Sequence, residues 1–170
     1  MKHKISIIYS WFIRLITSVL PNTPGIMRFR GWLYSLMMKK CGKDFQVSSS
    51  VIFNSVSGLE IGDHVYIAHN TVILGIKIVI EDEVLIGPNC VISGGNHTFS
   101  NESFRFGKKQ NREVIIKKGS WVGGNCSIVG GAILPKQSIL AAGSVLNKEF
   151  NQSKMIYGGV PAKCLKKIFI

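Results

Sequence analysis

The chain has 170 residues, which suits one domain and leaves too little length for two full ones. Only 18% of the residues are charged, and 18 glycines accompany many isoleucines and valines, a composition that favours short strands and tight turns over a helix bundle. The formal net charge of +12 predicts attraction to anionic partners, but the sequence has no arginine-rich helix and no aromatic-basic sheet signature. We therefore expect no nucleic-acid partner.

The first predicted segment, residues 1–45, is apolar and basic. Two runs within it, 5–20 and 26–40, are separated by prolines and are predicted to be helices. The first run is too short, and too interrupted by Arg14, for a membrane span, and no signal-peptide cleavage site follows. The helices are expected either to pack on the domain or a neighbouring subunit, or to make peripheral membrane contact through 1–40. Cysteines without disulfide or zinc spacing favour the cytoplasm, at the inner membrane face if the helices bind lipid.

A six-residue repeat begins at residue 61, has one extra residue between Ile73 and Ile80, pauses after 97 and resumes at 116. Its first position is aliphatic in all twelve units: Ile61, Ile67, Ile73, Ile80, Ile86, Ile92, Ile116, Val122, Ile128, Leu134, Leu140 and Leu146. A period of six fits a triangular coil in which each inward aliphatic side chain stacks on its copy about 18 residues away. The sequence predicts an all-β solenoid, a parallel β-helix over 46–150, with 47–60 as its irregular first coil.

The repeat is interrupted by a polar stretch, 98–113, which is predicted to project outward as a loop. His97 marks the point where the coil wall ends. A histidine here would suit a general base, because imidazole titrates near neutral pH and can take the proton of an attacking hydroxyl. Backbone N–H groups near the exposed glycines Gly123 and Gly124 are candidates for stabilising an oxyanion.

The runs WVGGNCSIVGGAILPKQSILAAGSVLNK at 121–148 and YGGVPAK at 157–163 resemble the hexapeptide-repeat acetyltransferases. They are similar to the maltose and galactoside O-acetyltransferase branch, and closest to its polysaccharide (capsule and O-antigen) members. The resemblance covers roughly residues 59–166. It implies a left-handed β-helix, whereas general crossover statistics favour a right-handed connection. It also implies acetyl-CoA as co-substrate, no metal, and a homotrimer with the acetyl-CoA groove between adjacent subunits.

Residue roles follow from the same resemblance. His97 matches the family's catalytic base, and Asn70 in YIAHN matches, more loosely, an active-site asparagine on the preceding coil. The positions that match the acetyl-CoA groove are Gly124, Ala142, Asn147, Lys148, Lys163 and Lys166. Asn147 replaces a more common threonine. Lys163 and Lys166 stand where arginine is common, so charge is kept but bidentate phosphate contacts are lost. The tail 151–170 is expected to complete the CoA site.

The predicted activity is direct, acetyl-CoA-dependent O-acetylation of a sugar hydroxyl. The apolar and basic N-terminus differs from the acidic entry segment of small-sugar acetyltransferases, which favours a sugar or lipid-linked oligosaccharide acceptor in surface polysaccharide synthesis. Alternatives within the resemblance are an antibiotic acetyltransferase (streptogramin or chloramphenicol type) and an amino-sugar N-acetyltransferase. More remote alternatives are a zinc site like that of β-helix carbonic anhydrases, built from His64, His69 and His97, and a non-catalytic assembly module.

Overall fold

The computed structural model describes residues 2–75 and 77–168. Two helices, α1 (Lys2–Thr17) and α2 (Pro24–Ser35), lead into a parallel β-solenoid of the left-handed type, which confirms the predicted fold class. Each of five successive coils contributes one short strand to each of three sheets, and these sheets are the faces of a triangular prism. Of the predicted segments, Met1 of 1–45, Ile76 of 46–150 and residues 169–170 of 151–170 lie outside the described residues.

The strands are short because every side of the triangle is only a few residues long. In chain order they are β1 (Lys40–Cys41), β2 (Gln46–Val47), β3 (Ile52–Phe53), β4 (Leu59–Ile61), β5 (Tyr66–Ile67), β6 (Val72–Leu74), β7 (Ile78–Ile80), β8 (Leu85–Ile86), β9 (Val91–Ser93), β10 (Gly95–His97), β11 (Lys109–Asn111), β12 (Val114–Ile116), β13 (Trp121–Val122), β14 (Ser127–Val129), β15 (Ile133–Leu134), β16 (Ile139–Leu140), β17 (Val145–Leu146), β18 (Met155–Gly158) and β19 (Lys163–Lys167). Face 1 has the order β1-β4-β7-β12-β15, and face 3 the order β3-β6-β9-β14-β17. Face 2 has the order β2-β5-β8-β13-β16-β18-β19, in which only the β18–β19 pair is antiparallel.

The three faces enclose one aliphatic core. Ile61 pairs with Ile80 on face 1, and Ile67 pairs with Ile86 on face 2, so each first-position residue stacks on its copy one coil away. All twelve predicted inward positions are at most 1% exposed. Each buried aliphatic side chain is worth about 1.5–3 kcal/mol relative to an exposed one. The stacked ladders therefore form the continuous core that the repeat predicted.

The corners of the triangle are turns with left-handed backbone at the fourth repeat position. Positive φ angles occur at His64, Asn70, Glu83, Asn89, Gly119, Asn125, Gly131, Gln137 and Gly143. We name each corner by the faces it joins: corner 1–2 contains His64, corner 2–3 contains Asn70, and corner 3–1 contains Gly131. Adjacent coils approach closely at these turns, since a Cβ on Gly123 would lie 2.7 Å from the backbone nitrogen of Ala142.

The β-helix begins before the predicted boundary at residue 46. Strand β1 already pairs with β4. Its core-side residue Cys41 keeps the six-residue spacing to Val47 and Phe53, which are also core residues. The prediction that 1–45 is wholly a helical segment was therefore wrong. The exposed lysines of this coil, such as Lys39 and Lys40, disguise its periodicity because they lie on the outward side.

Helix α1 packs on the first coil through polar side chains and presents apolar ones outward. Ser6 Oγ lies 2.6 Å from Ser55 Oγ, and Ser10 Oγ donates to the Phe53 carbonyl at 2.9 Å. The exposed apolar residues of this region, here named the N-terminal apolar surface, are Ile5, Ile8, Trp11, Phe12, Leu15, Ile16, Val19, Phe29, Trp32 and Leu36. Among the described residues, no helix has both the length and the apolar character to cross a bilayer.

Arg30 ties the two helices to the first coil. Its side chain is fully buried, and its guanidinium donates to the carbonyls of Thr17, Leu20 and Val47 and to Asn22 Oδ1. Carbonyls at the end of a helix lack intrahelical partners and favour a cation, so Arg30 satisfies the C-terminal end of α1. Burial lowers the pKa of Arg30, but the guanidinium keeps its charge because its ordinary pKa is above 12.

Candidate functional site

The candidate site lies at corner 3–1, where the chain leaves the third coil. Strand β10 pairs with β11 in antiparallel fashion, so the excursion between His97 and Lys109 is a hairpin that projects from the prism. The backbone N–H of Arg112 donates to the Gly94 carbonyl at 2.8 Å, which returns the chain to the wall beside the point it left. The projecting loop predicted for 98–113 is therefore confirmed.

His97 stands at the base of this hairpin and is exposed. Its backbone N–H donates to Asn96 Oδ1 at 2.9 Å, which fixes the strand end that carries the ring. In residues 2–75 and 77–168 neither ring nitrogen has a hydrogen-bond partner. Both nitrogens are thus accessible to a ligand, as a general base requires.

A cavity of about 410 Å³ opens beside His97. Its wall is formed by His3, Asn54, Leu74, Gly75, Ser93, Gly95, Asn96, His97, Lys109 and Asn111. Helix α1 contributes to it through His3, whose Nδ1 lies 2.9 Å from Ser55 Oγ. His3, Asn54 and Lys109 were not predicted from the sequence, since none of them belongs to a motif. A cavity of this size suits a small ligand such as a sugar ring.

Asn70 does not join His97 within one chain. It occupies the left-handed turn of corner 2–3 with φ of 58°, and its backbone N–H donates to Ser50 Oγ at 2.9 Å. His97 lies at corner 3–1, at the other end of face 3. A site that contains both predicted residues therefore needs two chains.

The positions that resemble an acetyl-CoA groove divide between the same two corners. Gly124 and Ala142 belong to corner 2–3, where the N–H of Gly143 donates to the Gly124 carbonyl at 2.9 Å. Asn147 and Lys148 follow β17 and belong to corner 3–1, on the His97 side. Ala142, Asn147 and Lys148 are exposed, whereas Gly124 is half-buried. The predicted groove positions are thus divided between two corners of one chain.

The tail brings Lys163 to corner 2–3 of the last coil. The N–H of Ala162 donates to the Val145 carbonyl at 2.8 Å, which fixes the start of β19 beside that corner. Lys163 and Lys166 both lie on β19, whose five residues are exposed. Lys166 pairs with Ile156 of β18 and lies farther across face 2.

Two backbone N–H groups, those of Gly123 and Gly124, were predicted to stabilise the oxyanion, and they differ in whether they already donate a hydrogen bond. The N–H of Gly123 donates to the Leu140 carbonyl at 2.8 Å. Gly123 was therefore a wrong candidate, because its donor belongs to the ladder between coils. The N–H of Gly124 has no acceptor in the described part of the chain. Gly124 is thus the glycine that could bind an oxyanion.

The three histidines of the zinc alternative lie at three different corners. His64 Nδ1 lies 2.9 Å from Asp44 Oδ2 at corner 1–2, whereas His69 belongs to corner 2–3 and His97 to corner 3–1. No three His, Cys, Asp or Glu side chains are grouped as metal ligands within 2–75 and 77–168.

A smaller cavity of about 250 Å³ lies on face 1, away from His97. Two of its charged groups form an ion pair, with Lys118 Nζ 3.6 Å from Asp82 Oδ2. No histidine or thiol is among the described residues that line it. It therefore offers no imidazole as a general base.

Comparison with known proteins places these features in context. No family model matches the chain. It is 34% identical over 133 residues to Saccharomyces cerevisiae YJL218W, a provisionally named acetyltransferase, covering 78% of this chain and 67% of that one. It is 27% identical over 146 residues to the galactoside O-acetyltransferase of Escherichia coli, covering 85% and 71% respectively. A hexapeptide-repeat acetyltransferase of Vibrio cholerae, crystallised with acetyl coenzyme A, has the same fold, with a TM-score of 0.83, 24% identity and coverage of 98% and 89%.

Proposed function

Because the chain belongs to the hexapeptide-repeat acetyltransferases of the galactoside and maltose O-acetyltransferase type, we propose that it acetylates a sugar hydroxyl with acetyl-CoA. The observation that carries this proposal is the cavity beside His97. There an imidazole without a partner among the described residues shares a wall with Asn54, Asn96 and Asn111. Amide groups can both donate to and accept from sugar hydroxyls.

In the proposed mechanism, His97 takes the proton of the acceptor hydroxyl as its oxygen attacks the thioester carbonyl. The new C–O bond forms, the N–H of Gly124 donates to the oxyanion, and the C–S bond then breaks. The leaving thiolate of CoA takes the proton from the imidazolium, so His97 returns to its neutral state. Cys90 and Cys126 do not act as nucleophiles, because both thiols are buried and donate to backbone carbonyls at 3.1 Å.

We propose that the complete site forms between two subunits of a homotrimer. Corner 3–1 of one subunit, with His97 and Lys148, would meet corner 2–3 of the next, with Asn70, Gly124 and Ala142. A cyclic assembly joins two different surfaces of each subunit in this way.

Face 3 lies between those two corners and would then face the threefold axis. Its outward residues Ile52, Val91 and Val129 are apolar, and each is between 38% and 40% exposed. Exposed apolar side chains on one face are typical of an interface.

We further propose that the acceptor is a lipid-linked oligosaccharide or polysaccharide, met at the inner face of a membrane. The support is the N-terminal apolar surface, which lies in a segment without acidic residues before Asp44. Lys2, Lys4 and Arg28 accompany it. Exposed apolar side chains combined with cations are typical of proteins that bind anionic bilayers peripherally.

The activity is tested by thiol release from acetyl-CoA with a panel of sugars and lipid-linked oligosaccharides. Acceptor-stimulated release by the wild type, and its loss in His97→Ala, is the expected result. Release that does not depend on any acceptor would contradict the proposed function.

Membrane contact is tested by flotation with vesicles containing anionic lipid. The wild type should float and Phe12→Asp should not, while Phe106→Asp, an equivalent change of an exposed phenylalanine on the hairpin, should float normally. If the wild type does not float, the membrane proposal fails, and a neighbouring subunit is the better partner for this surface.

A further inference from the structure

The cavity beside His97 has an unbalanced charge. Its ionisable wall residues are His3, His97 and Lys109, and no aspartate or glutamate is among the described residues that form it. The two carboxylates of the hairpin region, Glu102 and Glu113, lie outside the wall. A neutral sugar has no group that would compensate an ammonium at this place.

Lys109 stands directly opposite His97 in the hairpin, because the register of β10 and β11 pairs these two residues. Side chains of directly opposed residues lie on the same side of an antiparallel pair, with Cβ atoms about 4.5–5.5 Å apart. No carboxylate in residues 2–75 and 77–168 lies within ion-pair distance of Lys109. The ammonium is therefore available to a ligand that reaches the imidazole.

His3 adds a second polar group to the same wall. Its Nδ1 is engaged with Ser55 Oγ at 2.9 Å, while in the described part of the chain Nε2 has no partner. If Nδ1 accepts from the serine hydroxyl, Nε2 carries the proton and is a donor. The wall thus offers the Lys109 ammonium for an anionic group, and amides for hydroxyls, while His3 Nε2 adds a donor in the tautomer that carries its proton there.

We propose that the acceptor is an acidic sugar, carrying a carboxylate or a phosphate that Lys109 binds while His97 deprotonates the neighbouring hydroxyl. This inference rests on the proposed function and names its substrate class. An ionised group makes a stronger hydrogen bond to ammonium than a hydroxyl does. Lys109 would therefore select the acceptor, without taking part in the proton transfer.

The test compares acceptors matched on one ring: methyl glucoside, methyl glucuronide and glucose 6-phosphate, and the same three with a galactose ring. Thiol release from acetyl-CoA gives kcat/KM for each acceptor at low ionic strength. We expect an acidic acceptor to be preferred about tenfold over its neutral counterpart, with a preference that declines as salt is added. Comparison of the glucuronide with the 6-phosphate shows whether a carboxylate or a phosphate is preferred.

Three variants separate selection from folding. Lys109→Gln should reduce the preference to about one, mainly through KM for the acceptor, and Lys109→Glu should reverse it, both with KM for acetyl-CoA unchanged. Lys108→Gln, an exposed neighbour outside the wall, should keep the preference. Preference for the neutral sugars, or an equal loss of activity on acidic and neutral sugars in Lys109→Gln, would overturn this inference but leave the proposed function standing. Absence of acceptor-stimulated release with every sugar would instead count against the proposed function.

Discussion

His97 and Asn70 lie at opposite ends of face 3 of the same β-helix, so one chain cannot bring them together. Ala142 lies on the Asn70 side and Lys148 on the His97 side. If the site forms between chains, a chain with a mutated His97 corner and a chain with a mutated Ala142 corner can together form one intact site.

Mixing His97→Ala chains with Ala142→Trp chains should restore activity that neither has alone. In a trimer with sites between subunits, every mixed trimer keeps one intact site of three. Random one-to-one mixing makes about three quarters of the trimers mixed, so the expected activity is about a quarter of the wild-type value. Acetyl transfer after co-refolding measures it, and a mixture as inactive as its components would place the site within one chain.

Replacing His97 with alanine should lower kcat by about 10²–10⁴-fold, the usual contribution of a general base. The affinity for acetyl-CoA should change little, because the base contacts the acceptor hydroxyl. Steady-state kinetics and calorimetric titration with acetyl-CoA measure the two quantities separately. A parallel loss of acetyl-CoA binding would contradict the assigned role.

Replacing Lys163 with alanine should raise the KM for acetyl-CoA about fivefold, with a smaller effect on kcat. This corresponds to the roughly 1 kcal/mol that an exposed charge contact contributes. Lys136→Ala removes an equally exposed lysine from corner 1–2 and should leave KM unchanged. If both substitutions raised the KM for acetyl-CoA equally, the overall charge of the protein would explain the effect, and Lys163 would have no specific contact with acetyl-CoA.

Replacing Gly123 with alanine should lower the free energy of unfolding by about 1–3 kcal/mol, the usual cost of overpacking. The added Cβ would lie 2.7 Å from the nitrogen of Ala142 and 2.9 Å from the oxygen of Leu140, and neither backbone atom can move away. Gly25→Ala, which has open space around it in α2, is the matched control and should be neutral or slightly stabilising. Urea unfolding at fixed protein concentration compares them, and similar losses in both variants would contradict the argument.

Replacing Asp44 with asparagine should have a pH-dependent effect on stability. Hydrogen bonds from Arg28 and His64 lower the pKa of Asp44 to about 2, below the value near 3.9 expected when unfolded. The ionised carboxylate therefore stabilises the fold above about pH 4, and this stabilisation is lost as the pH falls towards 2. Because Arg28 is half exposed, we expect less than about 1 kcal/mol at pH 7.

Urea unfolding of wild type and Asp44→Asn at pH 7 and pH 3 measures this difference. The difference between their free energies of unfolding should be smaller at pH 3. Glu102→Gln, which removes a carboxylate outside any ion pair of the described residues, should show no such difference. If the difference in free energy of unfolding between wild type and Asp44→Asn were larger at pH 3 than at pH 7, the ionised carboxylate would not be the stabilising group.

The repeat was sufficient to predict that the twelve first-position residues from Ile61 to Leu146 point inward, because a period of six is imposed by the triangular geometry itself. It did not predict Ile78 and Val114, which are also fully buried. A first coil was predicted over 47–60, but its first strand at Lys40–Cys41 was missed because outward lysines mask the spacing at Cys41. The helices were predicted from composition, and they begin and end a few residues from the predicted limits of 5–20 and 26–40. The hand of the coil came from resemblance, since periodicity carries no information about it.

The candidate site was only partly predictable. His97 could be found because it stands where a regular pattern stops. His3 could not, because its place depends on the packing of α1 against a residue 52 positions away. Lys109 required the register of the hairpin, which the polar sequence of the loop does not reveal.

The exposed lysines of strand β19 also favour solubility, independently of catalysis. A β-helix is an open-ended stack, and the last strand of a face offers unpaired backbone groups to another molecule. On face 2 that last strand is β19, which turns antiparallel and is fully exposed with Lys163, Lys166 and Lys167 along it. Lysines on an edge strand oppose end-to-end polymerisation because each copy repels the next. Neutralising these three lysines would therefore remove a barrier to fibre growth.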